Sequence, residues 1–377
     1  MRVLSRDDLI DLAHGATFLG TGGGGTLAST LQMIERFASP QMALRLLEVD
    51  EAIRPAEDRK GVTTVASFIG SQAANESLTD VTPAIRAVEA MSALTQKRLG
   101  VPVARTIAIE LGVQSSAVPS LLVADQLGLD AVDADGAGRA VPVLPATVFA
   151  GAGLSAAPTI LTSAGGCTVT VEDDDAMVTN LVAGGVLRSP PFGVVAGLAL
   201  WPMRAAELQR AVPEHGGTRG SISLSIEVGS ALRRGRIESA LEAIRRHGLE
   251  ARILFRGRLV ERRTTQSDDH VIATFEDGSG RRVTTYSVSE NLVLWDRQSG
   301  EPLLLAPDSL CYASPDGQAL SNTELPDLGG EVVLVAIEAR RVLRESPTIM
   351  AAFADYLEKV GYPGPWRPFQ ELERRRR

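Results

Sequence analysis

Between Met42 and Val132 the chain alternates short apolar, β-branched runs with helical stretches, and this rhythm restricts the fold more than any other feature. Met42 to Val49, Val62 to Ile69, Val103 to Ile109 and Leu129 to Val132 read as strands. Between them, Thr82 caps and Pro83 opens a helix that stops at Gly100, and Ser115 or Ser116 caps another that runs to Leu127. Strand and helix in alternation imply a mostly parallel α/β sheet. Ahead of it stands a helix capped by Ser5, with Asp8 placed for a capping box and Leu9, Leu12, Ala13 and Ala16 as its buried stripe. That helix stops near Leu19, and a second runs from about Leu27 to Phe37.

After Gly166 the pattern changes. Thr168 to Val171 and Phe192 to Leu200 read as strands, and one long helix is expected from Ser223 to His247. Then come strands at Arg252 to Glu261 and His270 to Phe275, a turn at Asp277-Gly278, and strands at Arg282 to Val288, Asn291 to Trp295 and Val332 to Ile337. The expected fold class is therefore an N-terminal, mostly parallel α/β domain followed by a β-rich α+β domain. The expected division is 1–160, 161–370 and a charged tail at 371–377, with the boundary in the small-residue stretch Gly151 to Gly166. At 4% aromatic residues, the core has to be aliphatic.

The formal net charge of −8 argues against a nucleic-acid partner. Two cysteines far apart, Cys167 and Cys311, make neither a disulfide framework nor a cysteine-based zinc motif and suit a reducing compartment. The N-terminus turns acidic at Asp7-Asp8 before any apolar run builds, so it does not read as a signal peptide. The apolar stretch Gly193 to Trp201 is too short to span a bilayer. These features lead us to expect a cytoplasmic protein with a small-molecule substrate and no membrane partner.

The strongest local anomaly is the run Gly20-Thr21-Gly22-Gly23-Gly24-Gly25-Thr26. Consecutive glycines weaken a fold entropically, so they make sense where backbone must approach a ligand or adopt positive φ. The run opens a helix, whose N–H groups suit an anion or a developing oxyanion; a flexible hinge is the simpler alternative. No Lys follows it and no strand precedes it, so it is neither a Walker loop nor a dinucleotide fingerprint.

Glu110, Asp133 and Asp135 fall at or near the carboxyl ends of expected sheet strands, and Glu76 in the loop after another. In open parallel sheets that edge binds ligands. Gathered carboxylates hold a metal, share protons or grip N–H groups; the plainer reading is that each caps a helix or pairs with an arginine. In Asp133-Ala134-Asp135-Gly136-Ala137-Gly138-Arg139, one aspartate is a candidate general base and Arg139 a candidate to fix it or to hold a substrate carbonyl. A salt-bridged Asx-type turn is the alternative. A divalent metal such as zinc on Asp133, Asp135 and Glu110 is also a candidate, although the four histidines show no metal spacing.

Taken in order, these motifs resemble the S-methyl thiohydantoin desulfurase-like family, also known as DUF917. The resemblance is carried by Gly15-Ala16 to Gly25, by Glu110 with Gly112, and by Asp133 to Arg139. Later it is carried by Ser289-Glu290-Asn291-Leu292, Pro307-Asp308 and Gly361-Tyr362. The chain departs from the family pattern in placing Thr26-Leu27 after the glycines and Ser289 before Glu290. The resemblance implies hydrolysis of a hydantoin-like or S-methyl thiohydantoin-like ring. Asp133, Asp135, Glu110 and Arg139 are then the expected catalytic residues. Gly22, Gly23, Gly24, Gly25, Glu76, Glu290 and Asn291 are the expected substrate contacts. The alternative is a non-catalytic ligand-binding or accessory subunit beside a hydantoinase-type partner, and a homo-oligomer is compatible with either.

Overall fold

The computed structural model describes residues 1–70, 78–265 and 270–375. Its first sheet is built from β1 (Arg2–Leu4), β2 (Leu44–Leu47), β3 (Val62–Gly70), β4 (Val103–Ala108), β5 (Asp130–Asp135), β6 (Thr159–Thr162), β7 (Thr168–Val171) and β8 (Val195–Met203). The spatial order is β1-β2-β5-β4-β3-β8-β6-β7. The central strands β2, β5, β4 and β3 are parallel, as strand–helix alternation requires, while β1, β8, β6 and β7 add antiparallel edges. This sheet takes strands from both sides of the Gly151–Gly166 stretch.

The second sheet is antiparallel throughout. Its strands are β9 (Ala251–Thr265), β10 (His270–Glu276), β11 (Arg282–Val288), β12 (Glu290–Asp296), β13 (Pro302–Leu305), β14 (Ser309–Ala313), β15 (Ala319–Leu320) and β16 (Glu331–Ile337). They lie in the order β13-β12-β11-β10-β9-β16-β14-β15. The protein is thus an N-terminal α/β domain with a parallel centre followed by a β-rich domain with helices.

The principal helices are α1 (Arg6–Leu19), α2 (Leu27–Phe37), α3 (Thr82–Leu99), α4 (Val118–Leu127), α5 (Ala176–Leu187), α6 (Ser221–Leu232), α7 (Ile237–Arg246) and α8 (Pro347–Lys359). The α1 capping box forms: the Asp8 N–H donates to Ser5 Oγ at 3.3 Å and the Ser5 N–H to Asp8 Oδ2 at 2.8 Å. The stripe Leu9, Leu12, Ala13 and Ala16 is fully buried.

Three local expectations are corrected. Thr82 does not cap α3; Asp80 Oδ1 accepts the Thr82 N–H instead, at 2.8 Å. Neither Ser115 nor Ser116 caps α4, because a π-helical turn over Val113–Ala117 leads into it and directs both hydroxyls elsewhere. The long helix expected from Ser223 to His247 is two helices, α6 and α7, separated where Gly235 takes φ +68°. The pattern is silent beyond Ile337, where α8 and a short helix at Phe369–Arg374 close the fold.

The two sheets share cores. One cluster unites Val65, Ile107 and Leu198 of the first sheet with Leu292, Val293 and Leu305 of the second. Another joins Leu9 and Leu12 of α1 to Val333, Val335 and Ile337 of β16. Among the described residues, no helix is long and apolar enough to cross a membrane.

Candidate active site

A cavity of about 110 Å³ opens at the carboxyl ends of β3 and β4, the edge that an open parallel sheet offers to ligands. Phe68, Ile69, Ile109, Val143, Leu144 and Leu198 supply its apolar wall. Its polar lining comes from both sheets: Glu110 follows β4, Ser289 precedes β12 and Glu290 begins it, and Gly24, Ser115, Thr147 and Asn180 complete it.

Glu110 and Glu290 dominate this cavity, and both are buried. Glu110 Oε1 accepts from the Ser115 hydroxyl and Oε2 from the Val141 N–H, each at 2.7 Å. Burial nevertheless pushes its carboxyl up to about 7, helped by the charge of Asp135. Glu290 is pushed up to about 8, first by burial and then by the charge of Glu110. Its Oε2 is buried with no hydrogen-bond partner among the described residues. Just before it, Ser289 holds φ +61°, a strained conformation for a side-chain-bearing residue of the kind that collects at functional sites.

The glycine run explains how two sheets reach one cavity. Asn291 and Asn322 of the second half donate their N–H groups to Thr21 O and Gly22 O at 2.8 Å. From the first half, the Gln114 N–H donates to Gly24 O at 2.9 Å. Held from both sides and buried, the run is a fixed joint rather than a hinge. An added Cβ at Gly23 would meet Glu290 Oε1 at 2.5 Å. Gly24 takes φ +78° with its missing Cβ 2.2 Å from the Gly112 Cα. Gly22 packs on the Asn291 and Asn322 side chains, and Gly25 on Gln114.

The other expected site residues lie outside the cavity lining. Asp133 Oδ1 accepts the Ser223 N–H at 2.9 Å and Oδ2 accepts the Ser223 hydroxyl at 2.6 Å, which secures the start of α6. Asp135 Oδ2 accepts the Ala137 and Gly138 N–H groups at 2.8 and 2.7 Å, closing an Asx-type turn, and burial raises its pKa. Asn291 is fully buried; its Nδ2 donates to Leu310 O at 2.8 Å and its Oδ1 accepts from Ser287 and Tyr312. Glu76 lies outside the described residues.

Arg139 donates to Ala140 O, Pro307 O, Asp308 O, Thr21 Oγ1 and Asn291 O. All five guanidinium N–H groups are therefore engaged. Its Cζ lies 5.1 Å from the Phe353 ring centre, and burial brings its pKa down to about 10. Arg139 ties the glycine run to both halves of the chain from behind the site.

Among the described residues, no three His, Cys, Asp or Glu side chains converge as a metal would require. Asp133 engages both oxygens with Ser223, so the set Asp133, Asp135 and Glu110 does not assemble as ligands. Ser115 and Asn180 are site residues that the sequence reading missed. The signal for Asn180 was present, because it is an amide on an otherwise mostly apolar helix.

Family comparison accords with this architecture. The model for the S-Me-THD-like N-terminal domain matches residues 7–173, and that for the S-Me-THD-like C-terminal domain matches residues 180–354. No curated protein matches the chain. An X-ray crystal structure of a protein from Chromobacterium violaceum is similar, with 31% identity and a TM-score of 0.86, over 98% of this chain and 100% of that one. With matches across both halves, the chain belongs to the S-Me-THD-like family.

Proposed function

We propose that the protein is a hydrolase of hydantoin-like rings, with an S-methyl thiohydantoin as the type of substrate and Glu110 and Glu290 as its acid–base pair. The observation that carries this reading is that two buried carboxyls, from opposite sheets, line one cavity with pKa values raised to about 7 and about 8. Near neutral pH such a pair holds one proton between them. Glu110, whose two oxygens accept hydrogen bonds, is the better anion; Glu290, with an unpartnered oxygen, is the better acid.

The lining residues named for the cavity include no Lys, Arg or His. A carboxylate or phosphate substrate would find no cation there, whereas a neutral ring rich in N–H and C=O groups needs none. Family membership supports a hydantoin-related substrate.

On this reading water attacks the ring carbon that bears the S-methyl group while Glu110 takes its proton. Glu290 protonates the ring nitrogen, so the tetrahedral adduct is neutral. As the adduct collapses, the new hydroxyl returns its proton to Glu290 and forms the carbonyl. The C–S bond breaks, and sulfur leaves as methanethiol with the proton that Glu110 held. Both carboxyls end as they began.

Release of thiol from a 2-methylthio-imidazolone by the purified protein tests this reading. Glu110→Gln and Glu290→Gln are each expected to lower kcat/KM by about 10² to 10⁴. The wild-type profile should peak between about pH 7 and pH 8, since Glu110 gains a proton below this window and Glu290 loses one above it. Full activity in both variants would overturn the assignment. Tight binding by calorimetry without any product would favour an accessory, non-catalytic subunit.

A further inference from the structure

Helix α5 is apolar along most of its length, and Thr179 and Asn180 are its polar exceptions. Thr179 is buried and donates its hydroxyl to Asp173 O at 3.3 Å. Asn180 instead lines the cavity. Its Oδ1 accepts the Leu144 N–H at 3.2 Å. Because a backbone N–H faces that end of the amide, the end must be oxygen, and the orientation is settled by chemistry. The Nδ2 group is then left over, and among the described residues it has no acceptor.

The remaining polar lining makes this N–H₂ distinctive. Glu110, Glu290, Ser115, Ser289 and Thr147 bring oxygens to the cavity, and Asn180 is the nitrogen-bearing side chain among the lining residues. A neutral ring with a carbonyl oxygen has one group that the carboxylate side of the cavity repels and an amide N–H₂ attracts. We infer that Asn180 Nδ2 is a substrate-orienting donor that selects rings carrying an exocyclic carbonyl oxygen and turns their reacting carbon toward the two glutamates. The choice of ring rests on the function proposed above; the donor geometry does not.

Asn180→Asp separates recognition from folding. The new carboxylate keeps an oxygen for the Leu144 N–H but replaces the donor with an acceptor, and Asn180→Ala removes both. Two probes suffice: 2-methylthio-imidazol-4-one, which carries the carbonyl, and 2-methylthio-imidazoline, which lacks it. For the carbonyl ring, Asn180→Asp should weaken binding by calorimetry and lower kcat/KM, each by at least about tenfold. For the imidazoline, which lacks the carbonyl and is a protonated, cationic ring near neutral pH, Asn180→Asp should bind at least as tightly as wild type, with a melting temperature close to wild type. Equal binding of the carbonyl ring by wild type and Asn180→Asp would overturn the assignment of Asn180. Carbonyl-dependent binding that Asn180→Asp abolishes, without turnover in any form, would uphold Asn180 and overturn the catalytic reading. No binding of the carbonyl ring by the wild type would overturn both.

Discussion

A carboxyl group removed from water keeps its proton to higher pH, and Glu110 and Glu290 both do so on one cavity even though the charge of Arg139 pulls each the other way. The same shifts govern stability. Both folded-state pKa values lie above the ordinary value of 4.5, so between pH 4.5 and about 8 the folded chain binds more protons than the unfolded one. Their contribution is fully present below pH 4.5 and is lost as pH rises through about 7 and 8. The melting temperature is therefore expected to fall from pH 5 to pH 8.5. Glu290→Gln should flatten that decline and melt above wild type at the alkaline end, as read by thermal unfolding across pH. A decline of unchanged slope in the variant would mean that Glu290 ionises as an exposed carboxyl does. The residue scale also shows where nearness in sequence leads. Asp133 and Asp135 sit two apart on β5, so they share a face, and both engage turns and the α6 start rather than the cavity.

Helices α1 and α6 hold the glycine run in place by packing without side chains between them. A methyl added at Gly15 would lie 1.8 Å from Ser225 O, and one at Gly229 would lie 1.8 Å from Asp11 O. Backbone cannot step aside as a flexible side chain can. Gly15→Ala or Gly229→Ala should therefore cost on the order of 3 kcal/mol, the upper end of overpacking penalties, and should reduce activity by displacing the loop that follows α1. Gly185→Ala in α5 is the control: it is exposed, a methyl there meets nothing within 4 Å, and it should be neutral or stabilising by up to about 1 kcal/mol. Chemical denaturation of the three variants decides the matter, and equal midpoints would refute the close-packing argument. At this scale the sequence was readable where signals are local. The capping box of α1, the bounds of α2 and the span of β11 all follow from adjacent residues. The break between α6 and α7 was readable too, from Gly235, but the basic residues around it continue a helical pattern and mask the interruption.

Across the whole molecule, the two sheets are coupled by shared apolar clusters and by the three hydrogen bonds from Arg139 to Asn291 O, Pro307 O and Asp308 O. Lysine offers three donors on a point charge in place of a planar fork of five. Arg139→Lys leaves at least two buried acceptors unpaired and should cost roughly 2–5 kcal/mol. Because the cores are continuous, wild type and variant should each unfold in a single transition, with the variant's midpoint lowered. Separate melting of the two halves, by calorimetry, would contradict the coupling. Arg139 was legible in the sequence as a residue of consequence, but not as a clamp. Its acceptors Pro307 and Asp308 lie about 170 residues downstream, beyond the reach of any local pattern.

Periodicity, capping residues and glycine placement determined the elements, the fold class and the conspicuous glycine run, because each reports on neighbours a few residues apart. Tertiary structure alone decided which carboxylates meet. Glu290 arrives from the second sheet to face Glu110 at the edge of the first. That meeting depends on two sheets sharing cores and on glycines too small to keep Glu290 away, and contacts between distant segments leave no period in the chain for a reader to count.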